Sequence, residues 1–391
     1  MTPRLQFPPG IDIERFLREY WQRRPLLFRQ ALPGFDCRLQ PDELAGLACE
    51  ESVESRLVLE RGGESPWELR QGPFDEADFQ QLPESHWSLL VQDVDKHWPE
   101  VAGLLEPFRF LPDWRLDDVM VSYAVDQGSV GPHLDDYDVF LYQARGRRRW
   151  QIHQRTVSDD AFIPGLDLRI LSEFEAEQEW LLEPGDMLYL PPNLAHWGVA
   201  EGDCMTCSVG FRAPSYRELA TAWCDDLIER RAPAGRYRDG PLQPQAASAE
   251  IRPEVIGQIR QLLQQTLSDD PDQQRRWFGR FITETKPHLQ VTPPEHPLEP
   301  QAFLNRFRTS GILQRSSYSR MAFSRGAEGL DSLFANGQEY LIPSEEGGFL
   351  PVITHYRRLH FGYLVDWLQQ PDYLQLVCRL YNRGHFEFPD E

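Results

Sequence analysis

A mainly β domain of jelly-roll or sandwich type, then an α-helical stretch, then a smaller α+β domain: this is the architecture the 391-residue sequence predicts. Three observations carry it. Between residues 117 and 211, short strand-like runs recur at close spacing and are separated by Gly and Pro turns. After Pro214 the apolar period changes from two to the helical 3.6. Residues 291–391 mix both periods around an Asn336-Gly337 turn, an order that fits a small winged-helix-like module. The chain is too long for one core of ordinary size, and the boundaries read as 1–212, 213–290 and 291–391.

In chain order, residues 12–22 form an amphipathic helix with Ile13, Phe16, Leu17, Tyr20 and Trp21 on one stripe and Asp12 as cap. Leu26–Phe28 reads as a strand, and 41–49 as a helix opened by Pro41. Strands follow at 57–59, 67–69 and 87–92, then a helix near 95–105. The β region gives strands at 119–124, 139–142 and 149–153, the last two separated by a turn at Gly146. Further strands fall at 179–182, 187–190 and 204–211. Ser215 and Glu218 make a capping box for a helix carrying Leu219, Ala220, Trp223 and Leu227. Residues 231–249, rich in Pro, Gly, Ala and Gln, read as a linker. Helices at 253–267 and about 271–284 carry strong apolar stripes that need a partner, either their neighbours or a second copy. Five prolines between 287 and 300 mark another connection. The tail then reads as helix 301–308, strand 312–324, strand 339–342 and helices near 358–369 and 372–381.

Composition narrows the function. No apolar run is long enough to span a bilayer, and Met1-Thr2-Pro3-Arg4 lacks the basic segment and apolar core of a secretory signal. Six sparse cysteines form no framework, which fits a reducing cytoplasm. Cys204 and Cys207 lie three apart on a strand, so they face opposite ways and do not make a paired zinc or redox site. A net charge of −21 disfavours nucleic acid and favours a basic partner. His355-Tyr356-Arg357-Arg358 in the tail is a modest basic candidate set against that acidity.

The chemistry gathers at Gly131–Phe140. His133 and Asp135, two apart on a strand edge, share one face. His196, at the end of the run Glu183–His196 with its Pro-Gly-Asp turn, apolar strand and Pro-Pro turn, supplies a second imidazole. Two histidines and one carboxylate are the facial triad of non-haem Fe(II) oxygenases, which leaves positions for a bidentate 2-oxo acid and for dioxygen. Each residue alone would read as an ordinary turn or core side chain; the ordered set within a barrel pattern points to a metal. The far carboxylate of 2-oxoglutarate needs a cation. In Gly146–Trp150, alternation sends Arg147 and Arg149 one way and Arg148 the other, so Arg148 is the guanidinium that points inward, with Ser122 as a hydroxyl partner.

These stretches, with Phe16–Trp21, Pro25 and Asp118–Tyr123, resemble the JmjC-type 2-oxoglutarate oxygenases, in particular the bacterial ribosomal oxygenases, along the whole chain. The resemblance implies a JmjC (cupin, double-stranded β-helix) jelly-roll domain, a helical dimerisation region and a winged-helix-like C-terminal domain. It implies Fe(II) at His133, Asp135 and His196, and 2-oxoglutarate at Ser122 and Arg148. Many JmjC enzymes have lysine where Arg148 stands. Arginine there is similar to the bacterial branch, which hydroxylates an arginine β-carbon of large-subunit ribosomal protein L-sixteen and releases succinate and CO2. A cytoplasmic homodimer acting on a basic ribosomal protein is therefore expected.

A substrate guanidinium would want a carboxylate near the barrel mouth. Asp126, in the loop between Ser122 and His133, is nominated, and reads equally as a solvated turn acid; Asp136 and Asp138 compete and read more readily as solvated turn acids. The same fold could serve a histidine hydroxylase or a lysine demethylase. A non-catalytic cupin acting as an interaction protein, and a transcription regulator using the C-terminal module, are the readings from other classes.

Overall fold

The computed structural model of the protein describes residues 4–62, 66–153, 161–166, 168–231, 238, 251, 253–266, 270–326, 329–344 and 348–389. The linker expected at 231–249 lies almost wholly outside them. The chain forms two compact units, Met1–Ala213 and Pro214–Glu391.

The first unit is built on one nine-stranded antiparallel sheet. Its strands are β1 (Leu26–Phe28), β2 (Ser55–Glu60), β3 (Trp67–Gln71), β4 (Trp87–Val91), β5 (Leu116–Ala124), β6 (Val139–His153), β7 (Gln178–Leu182), β8 (Met187–Leu190) and β9 (Ala195–Phe211). They run in the order β1-β8-β6-β9-β5-β4-β2-β3, with β7 also on β6. The helices are α1 (Ile13–Glu19), capped by Asp12, α2 (Pro41–Leu47), α3 (Glu76–Gln80), α4 (Val94–His97) and α5 (Pro99–Ala102).

Strict alternation gives this sheet two functional faces. Val119, Val121, Phe140, Tyr142, Met187, Tyr189, Met205, Cys207, Val209 and Phe211 all enter one large core with α1 and α2. Phe16 of α1 packs edge-on to Tyr189 at 5.1 Å and is fully buried. Each such ring contributes roughly 1.5–3 kcal/mol of burial. The intervening residues, Asp118, Met120, Ser122, Val139, Leu141, Thr206, Ser208 and Gly210, line a cavity on the opposite face. One face fixes the fold and the other carries the chemistry.

Several expectations are corrected. The two strands anticipated at 139–142 and 149–153 are one strand of 15 residues. Gly146 does not turn the chain; at φ +59° it sits among register shifts opposite β9, where a Cβ would lie 2.0 Å from the Asp203 carbonyl. It is a bulge glycine, not a turn glycine. Strand β9 begins at Ala195 rather than near Cys204, so His196 is a strand residue. The helix expected at 95–105 breaks at Pro99 into α4, α5 and a 3-10 stretch, Gly103–Phe108.

The second unit opens with α6 (Tyr216–Arg231), α7 (Pro253–Thr266) and α8 (Pro271–Thr283). The capping box forms as expected, with Glu218 N–H donating to Ser215 Oγ at 3.1 Å and Ser215 N–H to Glu218 Oε2 at 2.7 Å. Next come α9 (Pro300–Ser310), β10 (Ile312–Arg315), β11 (Met321–Ser324), β12 (Leu330–Ala335), β13 (Gln338–Pro343), α10 (Phe349–His355), β14 (Arg358–His360), α11 (Phe361–Leu364), α12 (Pro371–Asn382) and β15 (Phe386–Glu387). They give a β11-β12-β13 meander and a β14-β10-β15 sheet around a core that includes Phe303, Phe307, Phe349 and Tyr381. The strand anticipated at 312–324 is two strands in two different sheets, broken by the turn closed by Ser319 N–H on Ser316 O. The helix anticipated at 358–369 is β14, α11 and a short 3-10 turn, and β12 and α10 are additional elements.

Candidate metal centre

His133 and His196 pair as an isolated antiparallel bridge, their backbones exchanging hydrogen bonds of 3.0 and 2.9 Å. The ring centroids are 4.3 Å apart. Asp135 Oδ2 lies 3.6 Å from His196 Nε2. One ligand atom from each of His133, Asp135 and His196 falls within 4.8 Å of the others, the one such group of three among the described residues.

Both imidazoles are held in the same tautomer. His133 Nδ1 is 2.9 Å from Gly131 O and His196 Nδ1 is 2.8 Å from Leu194 O. A carbonyl only accepts, so each Nδ1 carries a proton and Nε2 is the nitrogen left to face a metal, the arrangement of a metal-binding histidine. Burial, and then the neighbouring His133, hold the His196 imidazole down at about 4, so it is neutral at neutral pH. Gly131 makes the approach possible. Its φ is +78°, and a Cβ there would lie 2.8 Å from Ile170.

The three residues open on a cavity of about 200 Å³ whose lining includes Ser122, Arg148 and Trp150. Arg148 is 3% exposed. It donates from Nη1 to Ser122 Oγ and from Nη2 to Gly198 O, both at 3.3 Å, and its guanidinium carbon sits 5.0 Å from the Trp150 ring centre. Among the described residues no carboxylate is paired with it, and burial pulls it below its ordinary pKa. Arg148 Nε and Trp150 Nε1 are buried without hydrogen-bond partners. A buried, uncompensated cation beside unsatisfied donors calls for an anion. The site therefore fits both groups: two imidazoles and a carboxylate for iron, and a buried guanidinium for the carboxylate of 2-oxoglutarate.

Asp126 is placed elsewhere. It is exposed, accepts from Gly202 N–H at 2.8 Å, and is not among the residues lining the cavity. That backbone hydrogen bond holds its carboxyl below the ordinary range. Asp136 is exposed. Asp138 is fully buried, accepting from Tyr189 Oη at 2.6 Å, Arg115 Nη2 at 2.9 Å and Gln22 Nε2 at 3.0 Å, and so serves as a structural hub. Besides Asp135, the carboxylate that lines the cavity is Asp118. The signal for it was parity: Asp118, Met120 and Ser122 alternate along β5 onto the same face. Cys204 and Cys207 are both buried and free and belong to different clusters, as their opposite facing requires.

A jelly-roll sheet that opens a two-histidine, one-carboxylate centre beside a buried arginine defines a JmjC-type 2-oxoglutarate oxygenase. Residues 103–219 match the JmjC domain, and 261–387 the ROXA-like winged helix. The chain is 38% identical over 374 residues to the ribosomal protein uL16 3-hydroxylase of Escherichia coli, covering 95% of this chain and 96% of that protein. It is 43% identical over 213 residues to a probable ribosomal oxygenase of Haemophilus influenzae, covering 54% and 52% of the two chains. The structure of YcfD, a ribosomal oxygenase from Escherichia coli, in complex with cobalt and 2-oxoglutarate superimposes with a TM-score of 0.82 at 35% identity over 99% of both chains. The chain belongs to the bacterial ribosomal oxygenase family of JmjC proteins.

Proposed function

We propose that this protein is an Fe(II)- and 2-oxoglutarate-dependent hydroxylase of the large-subunit ribosomal protein uL16, adding a hydroxyl to an arginine β-carbon and releasing succinate and CO2. The observation that carries it is the convergence of His133, Asp135, His196 and the buried, uncompensated Arg148 on one cavity. A relative that matches this chain over nearly its whole length is a uL16 3-hydroxylase.

Iron with bound 2-oxoglutarate and O2 supplies the oxidising power for inserting one oxygen atom into a C–H bond, coupled to decarboxylation of the co-substrate. The chain does the rest. His133, Asp135 and His196 would hold the metal on the cavity lining. Arg148, fixed by Ser122, takes the far carboxylate of 2-oxoglutarate and sets its direction. Leu90, Val139, Leu141 and Ile170 make that part of the cavity apolar and exclude water. We assign the substrate guanidinium to Asp118, with Ser208 beside it on the lining, in place of the surface Asp126. Asp118 lines the cavity, where a carboxylate can orient an arginine, and it also accepts from Asp93 N–H at 3.1 Å; Asp126 is not part of the lining.

The electrostatics favour this substrate class. The first unit carries 20 Lys and Arg against 38 Asp and Glu, a field that draws a basic ribosomal protein. The same reading places the protein in the cytoplasm, where ribosomal proteins are made; no described helix is long and apolar enough to cross a membrane. It also keeps the three-part division at 1–212, 213–290 and 291–391, with the middle part pairing two copies. Ile256, Ile259 and Leu263 of α7 are 56%, 38% and 61% exposed, an apolar face that a second copy would cover.

Succinate release tests the function. It should be Fe(II)-dependent and rise when recombinant uL16 is added, and it should not respond to unrelated basic proteins. Release that ignores uL16 would leave the iron site standing and remove the substrate assignment.

A further inference from the structure

The net charge hides a segregation. Of the total of −21, the first unit carries −18 and the second −3. Within the second unit, residues 300–325 hold five arginines and no Asp or Glu. Residues 347–365 hold two arginines and two histidines and again no acid. Elsewhere the chain averages about one acid in every six residues, so acid-free stretches of this length are a departure from its own composition.

The fold brings the two stretches together. Strand β14 pairs with β10, Ile312 opposite His360 and Gln314 opposite Arg358. Phe361 N–H donates to Gly311 O at 2.8 Å, and the Arg308 guanidinium lies 5.7 Å from the Phe361 ring centre. β14 is an edge of its sheet, with Arg358 and His360 exposed on either side of the buried Leu359.

On this surface sits a continuous run of exposed rings. His355 and Tyr356 have centroids 4.8 Å apart, Tyr356 and Tyr363 5.1 Å, and Tyr363 and His360 5.1 Å. Tyr356 and Tyr363 are 41% and 46% exposed, although Phe349 and Tyr373 nearby are buried in the core. Packing does not require these rings at the surface. Among the described residues, Asp366 follows α11 in the chain, and Glu387 pairs with Gln314 on the other edge of β10.

We propose that this face of the C-terminal unit binds a single-stranded nucleic acid. Unstacked bases lie on the exposed Tyr356 and Tyr363 rings, and the phosphates meet Arg358, Arg308 and the flanking histidines. Aromatic faces interleaved with arginines are the recognition chemistry of single strands, sequence-tolerant because every base has a π-face. A ring run of this length suits roughly two or three bases. RNA is the expected source, because the substrate of the Proposed function belongs to a ribonucleoprotein. The patch itself stands independently of that reading.

The test is fluorescence anisotropy of the full-length protein with a labelled twelve-nucleotide single-stranded RNA at low salt, beside the matched DNA. Binding should weaken steeply with salt. Tyr356→Ala and Tyr363→Ala should each weaken it about tenfold, Tyr356→Phe should restore it, and Arg358→Glu should weaken it and flatten the salt dependence. Succinate release with uL16 should be unchanged in all of them. Tighter binding of RNA than DNA fixes the source as RNA, and the reverse fixes it as DNA. No binding up to roughly 100 μM would overturn the proposal. So would binding that ignores all these substitutions. Displacement by polyglutamate as efficient as by unlabelled RNA would also overturn it, in favour of an acidic protein partner.

Discussion

Replacing Gly198 by alanine tests how the co-substrate is held. Gly198 lies on β9 directly opposite Trp150. A Cβ there would sit 2.6 Å from Trp150 Cζ3 and 2.8 Å from Arg148 Nε. Comfortable contact needs about 3.5–4.0 Å, so the indole and the guanidinium must give by about 1 Å. Arg148 is held by two hydrogen bonds of 3.3 Å to neutral acceptors, Ser122 Oγ and Gly198 O, and one of these is to the substituted residue. The guanidinium therefore shifts. A misaligned charge-assisted hydrogen bond to the 2-oxoglutarate carboxylate costs about 1.5–3 kcal/mol, a rise in KM for 2-oxoglutarate of about 10- to 100-fold. Overpacking itself costs about 1–3 kcal/mol, so the protein stays folded with a Tm lower by a few degrees. The assay is succinate release against 2-oxoglutarate concentration at saturating uL16, with a thermal melt of the same sample. A melt that shifts while KM for 2-oxoglutarate stays within about twofold would refute the placement of the carboxylate on Arg148.

Asp118→Asn is expected to raise KM for uL16 by about tenfold or more while leaving 2-oxoglutarate binding unchanged, and Asp126→Asn to change neither by more than about twofold; isothermal titration and peptide kinetics separate the two acids. Ile259→Arg places a charge on the exposed α7 face and should convert a dimer to a monomer in light scattering, with the melt of the first unit unaffected. His385 gives a pH prediction. Burial, and then Arg383, lower its imidazole to about 4, and it sits 3.1 Å from Ser319 Oγ. Its folded pKa is below the unfolded value near 6.5, so the stability it confers is full above about 6.5 and is lost as pH falls through about 4. The loss amounts to about 3 kcal/mol, and His385→Gln should flatten the denaturant-melt profile of stability against pH between those limits.

Much of the site was legible because strand alternation is a strict rule. Parity along Gly146–Trp150 sent Arg148 inward, and the structure buries it while leaving Arg147 exposed. The pairing of His133 with His196 was not legible in detail. It depends on β9 starting at Ala195, and Asn193-Leu194-Ala195 carries no strand signal of its own. Gly146 misled in the opposite direction, since a positive-φ glycine inside a long strand looks the same in sequence as one in a turn. Asp126 was nominated by proximity along the chain to Ser122 and His133, whereas Asp118 reaches the cavity through the same alternation that placed Ser122 there. In the second unit, β14 and α11 are three and four residues long, and runs that short fit a helical stripe as easily as a strand and a turn. Net charge averages over the chain: at −21 overall, residues 300–325 and 347–365 still contain no Asp or Glu.

The most direct test is the intact mass of uL16 after incubation with the protein, Fe(II), 2-oxoglutarate and air, beside a His133→Ala control. A gain of one oxygen, about 16 Da, located by fragmentation to an arginine and absent in the control, is the predicted result. An unchanged mass of uL16 with active iron-loaded protein, or a gain that persists without His133, would contradict the assignment.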